Sequence, residues 1–395
     1  MKTLNDVNFN NKKVLVRVDF NVPLNNDLEV MDATRIEAAK PTILKILEDG
    51  GSCILMSHLG RPKNREQEFS LRNVVQTATD IFGVKVNFVS NCIGNIPEEA
   101  MASLNPGEIV LLENLRYYKE ETEGSKHFAE KLSKLGDYYV NDAFGAAHRA
   151  HASIAAITRF FPKNKCFGLL LASEVENVKK VLEDGAPPVT AIIGGAKVSS
   201  KITVIENILN KIDHLIIGGG MAFTFILAKG GKVGGSLVEK DKTNLALGIL
   251  EKAKEKNVRV HLPVDTVIAD SFSEYASITD SPADNIPQGW MGLDVGPKTS
   301  GIFTEVISRS KTILWNGPVG VFEMGAFQKG TKNIGAAIAE ATENGAFSLV
   351  GGGDSVAAAK QFGLFDRMSY VSTGGGAMLE MLEGKDLPGI SALLK

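Results

Sequence analysis

The stretch LIIGGGMAFTFILA (215–228) places a short apolar run, a glycine triplet and a longer apolar run in series. The first run is too short for a helix and reads as a buried strand. The triplet breaks it, and the second run has helical length. The order recurs along the second half of the chain. Residues 189–193 lead into Gly194 and Gly195 and a helix over 199–212. Residues 348–350 lead into Gly351, Gly352 and Gly353 and a helix over 354–361. Residues 370–372 lead into Gly374, Gly375 and Gly376 and a helix over 377–382. This alternation predicts an α/β domain, a parallel sheet with helices on both faces. Four helix starts then lie along one sheet edge, each offering free N–H groups and the positive end of a helix dipole to an anion.

The first half follows the same plan with different punctuation. Residues 13–20 form a β-rich run, and 34–49 are helical behind a Thr34/Glu37 capping-box pattern. Short strands are expected at 53–56, 84–89, 108–112 and 138–141, with helical spacing over 71–82 and 126–135. Between the halves, 170–182 reads as one helix closed by Gly185, Pro187 and Pro188, which suits a connector.

A chain of 395 residues exceeds what one hydrophobic core usually serves, so two domains are expected. Composition supports the division. Eight of the eleven arginines precede residue 160, whereas thirty of the forty glycines follow residue 170. A formal net charge of -3 argues against a nucleic-acid partner. Cys53, Cys92 and Cys166 show no C-x-x-C spacing, which disfavours a disulfide framework or a zinc site and fits a reducing cytoplasm. Residues 1–11 lack the apolar core of a secretory signal, and no run approaches the roughly 18 apolar residues that span a bilayer. A protein of the cytoplasm with no membrane association is expected.

In the first half, arginines follow strands: Arg61 in SHLGRP (57–62), Arg116 in ENLR (113–116), and Arg149 in NDAFGAAHRAH (141–151), while Arg35 opens the first predicted helix. If these loops share a sheet's carboxyl edge the cations converge, and an anionic ligand relieves their repulsion. Arginine suits that task through its bidentate fork. Nucleophile and metal motifs are missing. The dinucleotide fingerprint G-x-G-x-x-G fails at three triplets, where its last position holds Phe223, Val356 and Leu379. Those failures, with no acidic residue at the ribose spacing, disfavour an NAD-dependent oxidoreductase, and the Walker pattern and the G-x-S-x-G elbow are absent as well. His148 and His151 stand three apart without further ligands and read as packing or hydrogen-bonding groups.

The segments DFNVP (19–23), SHLGRP (57–62), VNDAFGAAHRAHAS (140–153), GGAKVSSKI (194–202), IIGGGMAFTF (216–225), WNGPVGVFE (315–323), VGGGDSVAAA (350–359) and STGGGAMLEMLEGKDLPGI (372–390) resemble the phosphoglycerate kinase family, nearly end to end and in order. Two departures are small. LLENLRYY (111–118) carries tyrosine where phenylalanine is usual, and residues 170–173 lack a common Met-Glu pair. The resemblance implies two Rossmann-like domains joined by an interdomain helix: a glycerate-binding domain of residues 1–169 with the tail 384–395, a linker helix 170–185, and a nucleotide-binding domain 186–383. It also implies a monomer that moves a phosphoryl group between 1,3-bisphosphoglycerate and ADP, giving 3-phosphoglycerate and ATP, with Mg2+, after the domains close.

Roles follow by position in the matched segments. Asp19 and Asn21 would bond the glycerate hydroxyl. His58, Arg61, Arg116 and Arg149 would hold the phosphate that is not transferred, with Leu59 and Gly60 in the same loop. Arg35 would meet the C1 end beside the transferred group. Lys197 would follow the moving phosphoryl, and Thr373 with Gly374, Gly375 and Gly376 would present N–H groups to it. Lys201, Gly352 and Gly353 would serve the nucleotide phosphates, with Asn316 nearby. Gly218, Gly219, Gly220, Gly292 and Leu293 would line the adenine slot, and Glu323 would bind ribose. Asp354 would hold the metal, aided by Ser355 and by the helix start that Asp354 caps. No protein nucleophile or general base is needed, because a glycerate carboxylate is already ionised at neutral pH.

Overall fold

The computed structural model describes residues 1–395. The chain divides into two compact units, Met1–Val175 with Asp386–Lys395, and Glu176–Lys385. The helix Leu169–Leu182 runs from the first into the second. No helix is long and apolar enough to cross a membrane.

The first unit holds β1 (Lys13–Arg17), β2 (Ser52–Met56), β3 (Val86–Val89), β4 (Ile109–Leu112), β5 (Tyr138–Asn141) and β6 (Lys165–Phe167) in the order β3-β4-β2-β1-β5-β6. Every pairing is parallel. Side chains alternate between the faces of a strand. Val14, Val16 and Val18 therefore join one core with Cys53, Leu55 and Val140, while Leu15 and Arg17 take the opposite face. The helix Thr34–Glu48 buries Ile36, Ala39, Ile43 and Ile46 in that core, a three-and-four spacing that makes one apolar stripe. The capping box at Thr34 and Glu37 does not form. Thr34 is already helical behind Ala33, and the Asp32 carboxylate accepts from the Thr34 N–H (2.9 Å) and hydroxyl (2.5 Å) instead. The tail helix Pro388–Leu394 packs in this unit, where Gly389 N–H donates to the Ala147 carbonyl (2.8 Å) and Lys165 Nζ to that of Ala392 (3.0 Å).

In the second unit the main sheet is β7 (Val189–Ile193), β8 (His214–Ile217), β9 (Arg259–His261), β10 (Thr312–Asn316), β11 (Phe347–Val350) and β12 (Tyr370–Val371), ordered β9-β8-β7-β10-β11-β12 and parallel throughout. Trp315, Ile192 and Ile216 pack beneath the helices Pro297–Ser308 and Lys329–Glu343. A second, antiparallel sheet of Ile278–Pro282, Asp265–Ala269 and Met291–Val295 lies beyond the sequence-based expectation. Ile278–Pro282 (ITDSP) is mostly exposed, and the buried Asp265–Ala269 (DTVIA) and Met291–Val295 (MGLDV) carry aspartate or glycine within them, so none is the unbroken apolar run that marks the others.

Both main sheets have a point where successive connections leave in opposite directions, between β1 and β5 and between β7 and β10. A crevice opens there beyond the carboxyl ends. In the second unit the crevice requires backbone to touch backbone. Gly194 and Gly195 donate to the carbonyls of Asn316 (3.0 Å) and Pro318 (3.2 Å), and a Cβ at Gly194 would overlap the Pro318 carbonyl. The substitution Gly194→Ala should therefore cost about 1–3 kcal/mol or more, as overpacking does. The urea midpoint should fall accordingly, and an unchanged midpoint would contradict the close approach.

Candidate active site

In the first unit the loops that follow β1, β2 and β4 are bonded to one another. Ser57 Oγ accepts from Phe20 N–H (2.8 Å), and Asn21 Oδ1 accepts from Gly60 N–H (2.8 Å). The fully buried Asn114 amide donates to the carbonyls of Leu59 (2.7 Å) and Phe69 (2.8 Å). Gly60 adopts φ +60°, and a Cβ there would run into the Phe69 ring. These bonds hold Arg61 and Arg116 where their loops cross. Arg116 donates to the Gly60 carbonyl, and Arg35 donates to Asp19 (3.2 Å) and to the Asn21 carbonyl (3.1 Å). The Leu59 side chain is buried, so this residue contributes its backbone to the loop.

A fifth arginine, Arg17, belongs to this cluster and was not singled out in the sequence. It lies inside the β-rich run 13–20 and ends the observed strand β1, where a charge usually marks solvent. Here it is fully buried. It donates to Ser153 Oγ (2.9 Å), to the Val18 carbonyl, and to His58 Nδ1 (3.1 Å). A guanidinium only donates, so His58 Nδ1 carries a lone pair and the ring proton sits on Nε2. Burial, reinforced by Arg17, Arg116, Arg149 and Arg35, holds the His58 pKa well below the usual histidine value. His58 is a neutral donor. The cations also press on one another: burial and then Arg149 and Arg17 pull Arg116 down to about 10. His151 falls to about 4 through burial and then Arg17, Arg116 and Arg149.

In the second unit a cavity of about 680 Å³ lies beyond β7 and β10, within the range of small-molecule sites. Gly219, Gly220, Gly292, Leu293, Val319 and Glu323 line it, and Asp354 reaches its edge. Gly218 does not line it; its Cα faces Val319, and a Cβ there would collide with that side chain. Gly292 leaves room for the Phe223 ring in the same way. The antiparallel sheet supplies Thr266, Met291 and Asp294 to the cavity, and the turn between its strands supplies Phe272. None of these was legible beforehand, because that sheet was not.

Residues expected at the nucleotide phosphates meet at Asn316. This fully buried amide accepts from Lys201 Nζ (2.5 Å) and donates to the Gly351 carbonyl (2.7 Å). Burial lowers the Lys201 pKa, and Asp354 and Glu383 oppose the shift. Lys197 is exposed on extended backbone before a 3-10 turn, Val198–Ser200, and the helix starts only at Ile202. Asp354 does not cap its helix as expected. Gly352, at φ 95°, is the N-cap of the helix Gly353–Gln361, and Asp354 is an exposed residue of its first turn. The Ser355 hydroxyl faces inward and accepts from Gly317 N–H (2.6 Å), clamping the glycine loop from behind. Gly375, at φ 43°, is the N-cap of the helix Gly376–Leu382, and the Gly374 N–H donates to Ser372 Oγ (3.1 Å).

An arginine-lined crevice in one α/β unit and a nucleotide-sized cavity in the other define a phosphotransferase. Comparison with known proteins gives the family. Residues 4–385 match the family profile for phosphoglycerate kinase. The chain is 51% identical over 416 residues to the phosphoglycerate kinase of Porphyromonas gingivalis, covering 99% of each, and 49% identical over 391 residues to the cytosolic enzyme of Triticum aestivum, covering 99% and 97%. The solved phosphoglycerate kinase of Coxiella burnetii superimposes with a TM-score of 0.91 at 42% identity, covering 99% and 98% of the two chains. That of Pyrococcus horikoshii superimposes at 0.85 and 31%, covering 100% and 98%. The chain belongs to the phosphoglycerate kinase family, and its reaction is the glycolytic phosphoryl transfer between 1,3-bisphosphoglycerate and ADP.

The depressed histidines make a pH prediction. A group that resists protonation in the folded state loses stability relative to the unfolded chain as pH falls below its unfolded value. For His151 that window runs from 6.5 down to about 4. Urea midpoints should fall through this range, and His151→Gln should flatten the fall. An unchanged slope in that variant would contradict the buried neutral histidine.

Proposed function

We propose that the arginine crevice of the first unit binds the glycerate and its phosphate, and that the cavity of the second binds ADP or ATP. Carrying this reading is the surplus of cations: Arg17, Arg35, Arg61, Arg116 and Arg149 surround one crevice, and Asp19 is the carboxylate that faces them. Arg61, Arg116 and Arg149 hold the phosphate that stays, joined by the Nε2 proton of His58. Asp19 and Asn21 keep free lone pairs or amide protons for the glycerate hydroxyl, and Arg35 meets the C1 end.

On the nucleotide side, Gly219, Gly220, Gly292 and Leu293 accept the base, Glu323 the ribose, and Lys201 and the Gly352–Gly353 turn the phosphates. Lys197 and the Gly374–Gly376 N–H groups stabilise the phosphoryl in transit. Its charge spreads over three oxygens, so fixed positive charge and positioning supply the catalysis. The donor set fits magnesium carried in with the nucleotide. Asp354 is a lone exposed carboxylate, no group of three or more metal-ligating side chains is preassembled, and magnesium binds through one or two carboxylates plus substrate phosphates. Held by Asp354, the ion would neutralise phosphate oxygens. The two substrates occupy different units, so in-line transfer requires the units to come together and exclude water that would hydrolyse the acyl phosphate. The enzyme acts as a monomer, and its three unpaired, buried cysteines suit a reducing cytoplasm.

The decisive assay is ATP-dependent turnover of 3-phosphoglycerate, coupled to a reporter enzyme, with and without magnesium. Arg35→Ala and Lys197→Ala should each lower kcat by about 10²-fold or more, the size of a lost transition-state donor. Near-normal kcat in both would reject these roles. Arg149→Ala should chiefly weaken glycerate binding, and an unchanged titration would remove its phosphate contact.

A further inference from the structure

Behind the arginine crevice lies a carboxylate that faces no ligand. Glu121 sits on the short helix Lys119–Thr122, one turn beyond Arg116, and is fully buried. Its Oε2 accepts from Ser153 N–H (2.9 Å) and its Oε1 from Ser153 Oγ (2.6 Å). Its own carbonyl accepts from Ala152 N–H (2.9 Å), and His151 Nδ1 lies 3.8 Å from Oε1. The direction of each bond is fixed by chemistry. Arg17 Nε can only donate to Ser153 Oγ, and a carboxylate can only accept, so the serine proton points at Glu121. Arg17 then donates its other arm to His58 Nδ1 (3.1 Å). Glu121, Ser153 and Arg17 are fully buried, and His58 is 6% exposed.

We propose that Glu121 is a positioning residue for the substrate phosphate, acting through Ser153 and Arg17 to set the His58 tautomer. The proposal rests on the reading of this crevice as the glycerate-phosphate site. A buried guanidinium without a counter-charge is costly, and Glu121 supplies that charge without occupying the crevice. The chain Glu121–Ser153–Arg17–His58 thus keeps the cation surplus facing the ligand and the His58 Nε2 proton aimed at it. Glu121 also joins the strand loop of Arg116 to the segment that carries Arg149, so one carboxylate registers both arms of the phosphate clamp.

The test uses the full chain labelled with 15N-histidine. In the wild type His58 should show a bare Nδ1 and a protonated Nε2. Glu121→Gln removes the charge but keeps the shape, and Ser153→Ala cuts the link while leaving both charges. Each should mix the His58 tautomers and weaken 3-phosphoglycerate binding about tenfold, equivalent to one charge-assisted hydrogen bond, with ADP affinity unchanged. If Glu121→Gln fails to fold, Ser153→Ala decides alone. Folded variants with the wild-type tautomer and wild-type affinity would overturn the relay. A wild type that binds no 3-phosphoglycerate would instead overturn the site reading, while the tautomer signal, which needs no ligand, still judges the relay.

Discussion

Like-charge repulsion is the constraint that organises the first unit. Arginines at the ends of neighbouring parallel strands repel one another, and the fold must hold them there. It does so with neutral glue. Ser57, Asn21 and Asn114 stitch the loops through backbone carbonyls and N–H groups, spending no carboxylate on the crevice except Asp19. Arg17 is held in place by Ser153 Oγ and His58 Nδ1, which accept from its guanidinium. The consequence is a neutral His58 with a fixed proton in a positively charged crevice.

The second unit solves a different problem by removing side chains. Its crevice needs β7 and β10 loops at backbone contact, and Gly194 and Gly317 provide it. Behind that contact, Ser355 and Asn316 pin the loop from two directions, and Asn316 aims Lys201. The glycines are therefore of two kinds. Gly219 and Gly220 line the cavity, whereas Gly218 and Gly194 make room for neighbouring protein atoms.

Periodicity made most strands of the two main sheets readable, because buried parallel strands are apolar runs, but Lys165–Phe167, Arg259–His261 and the central Thr312–Asn316 were not among the expected strands. The antiparallel sheet was not readable, since Ile278–Pro282 is ITDSP and mostly exposed, with nothing to mark it as a strand. The arginines beyond the strands stood out by placement. Arg17 and Glu121 did not, because a charge at a strand end or in KEET looks like solvent-facing polarity until three dimensions bury it. Capping patterns misled twice. Asp32 displaced Thr34, and Gly352 displaced Asp354, in each case because a neighbouring residue could reach the open N–H groups or the required backbone angle first.

The arginine crevice is proposed to hold a phosphate. Calorimetric titration of the full chain with 3-phosphoglycerate, and then with glycerate lacking the phosphate, tests it most directly. The phosphorylated acid should bind, and more weakly as salt rises. Glycerate should bind at least about a hundredfold less tightly, because two or more charge-assisted hydrogen bonds of about 1.5–3 kcal/mol each are lost. Equal affinity for the two acids, indifferent to salt, would contradict it.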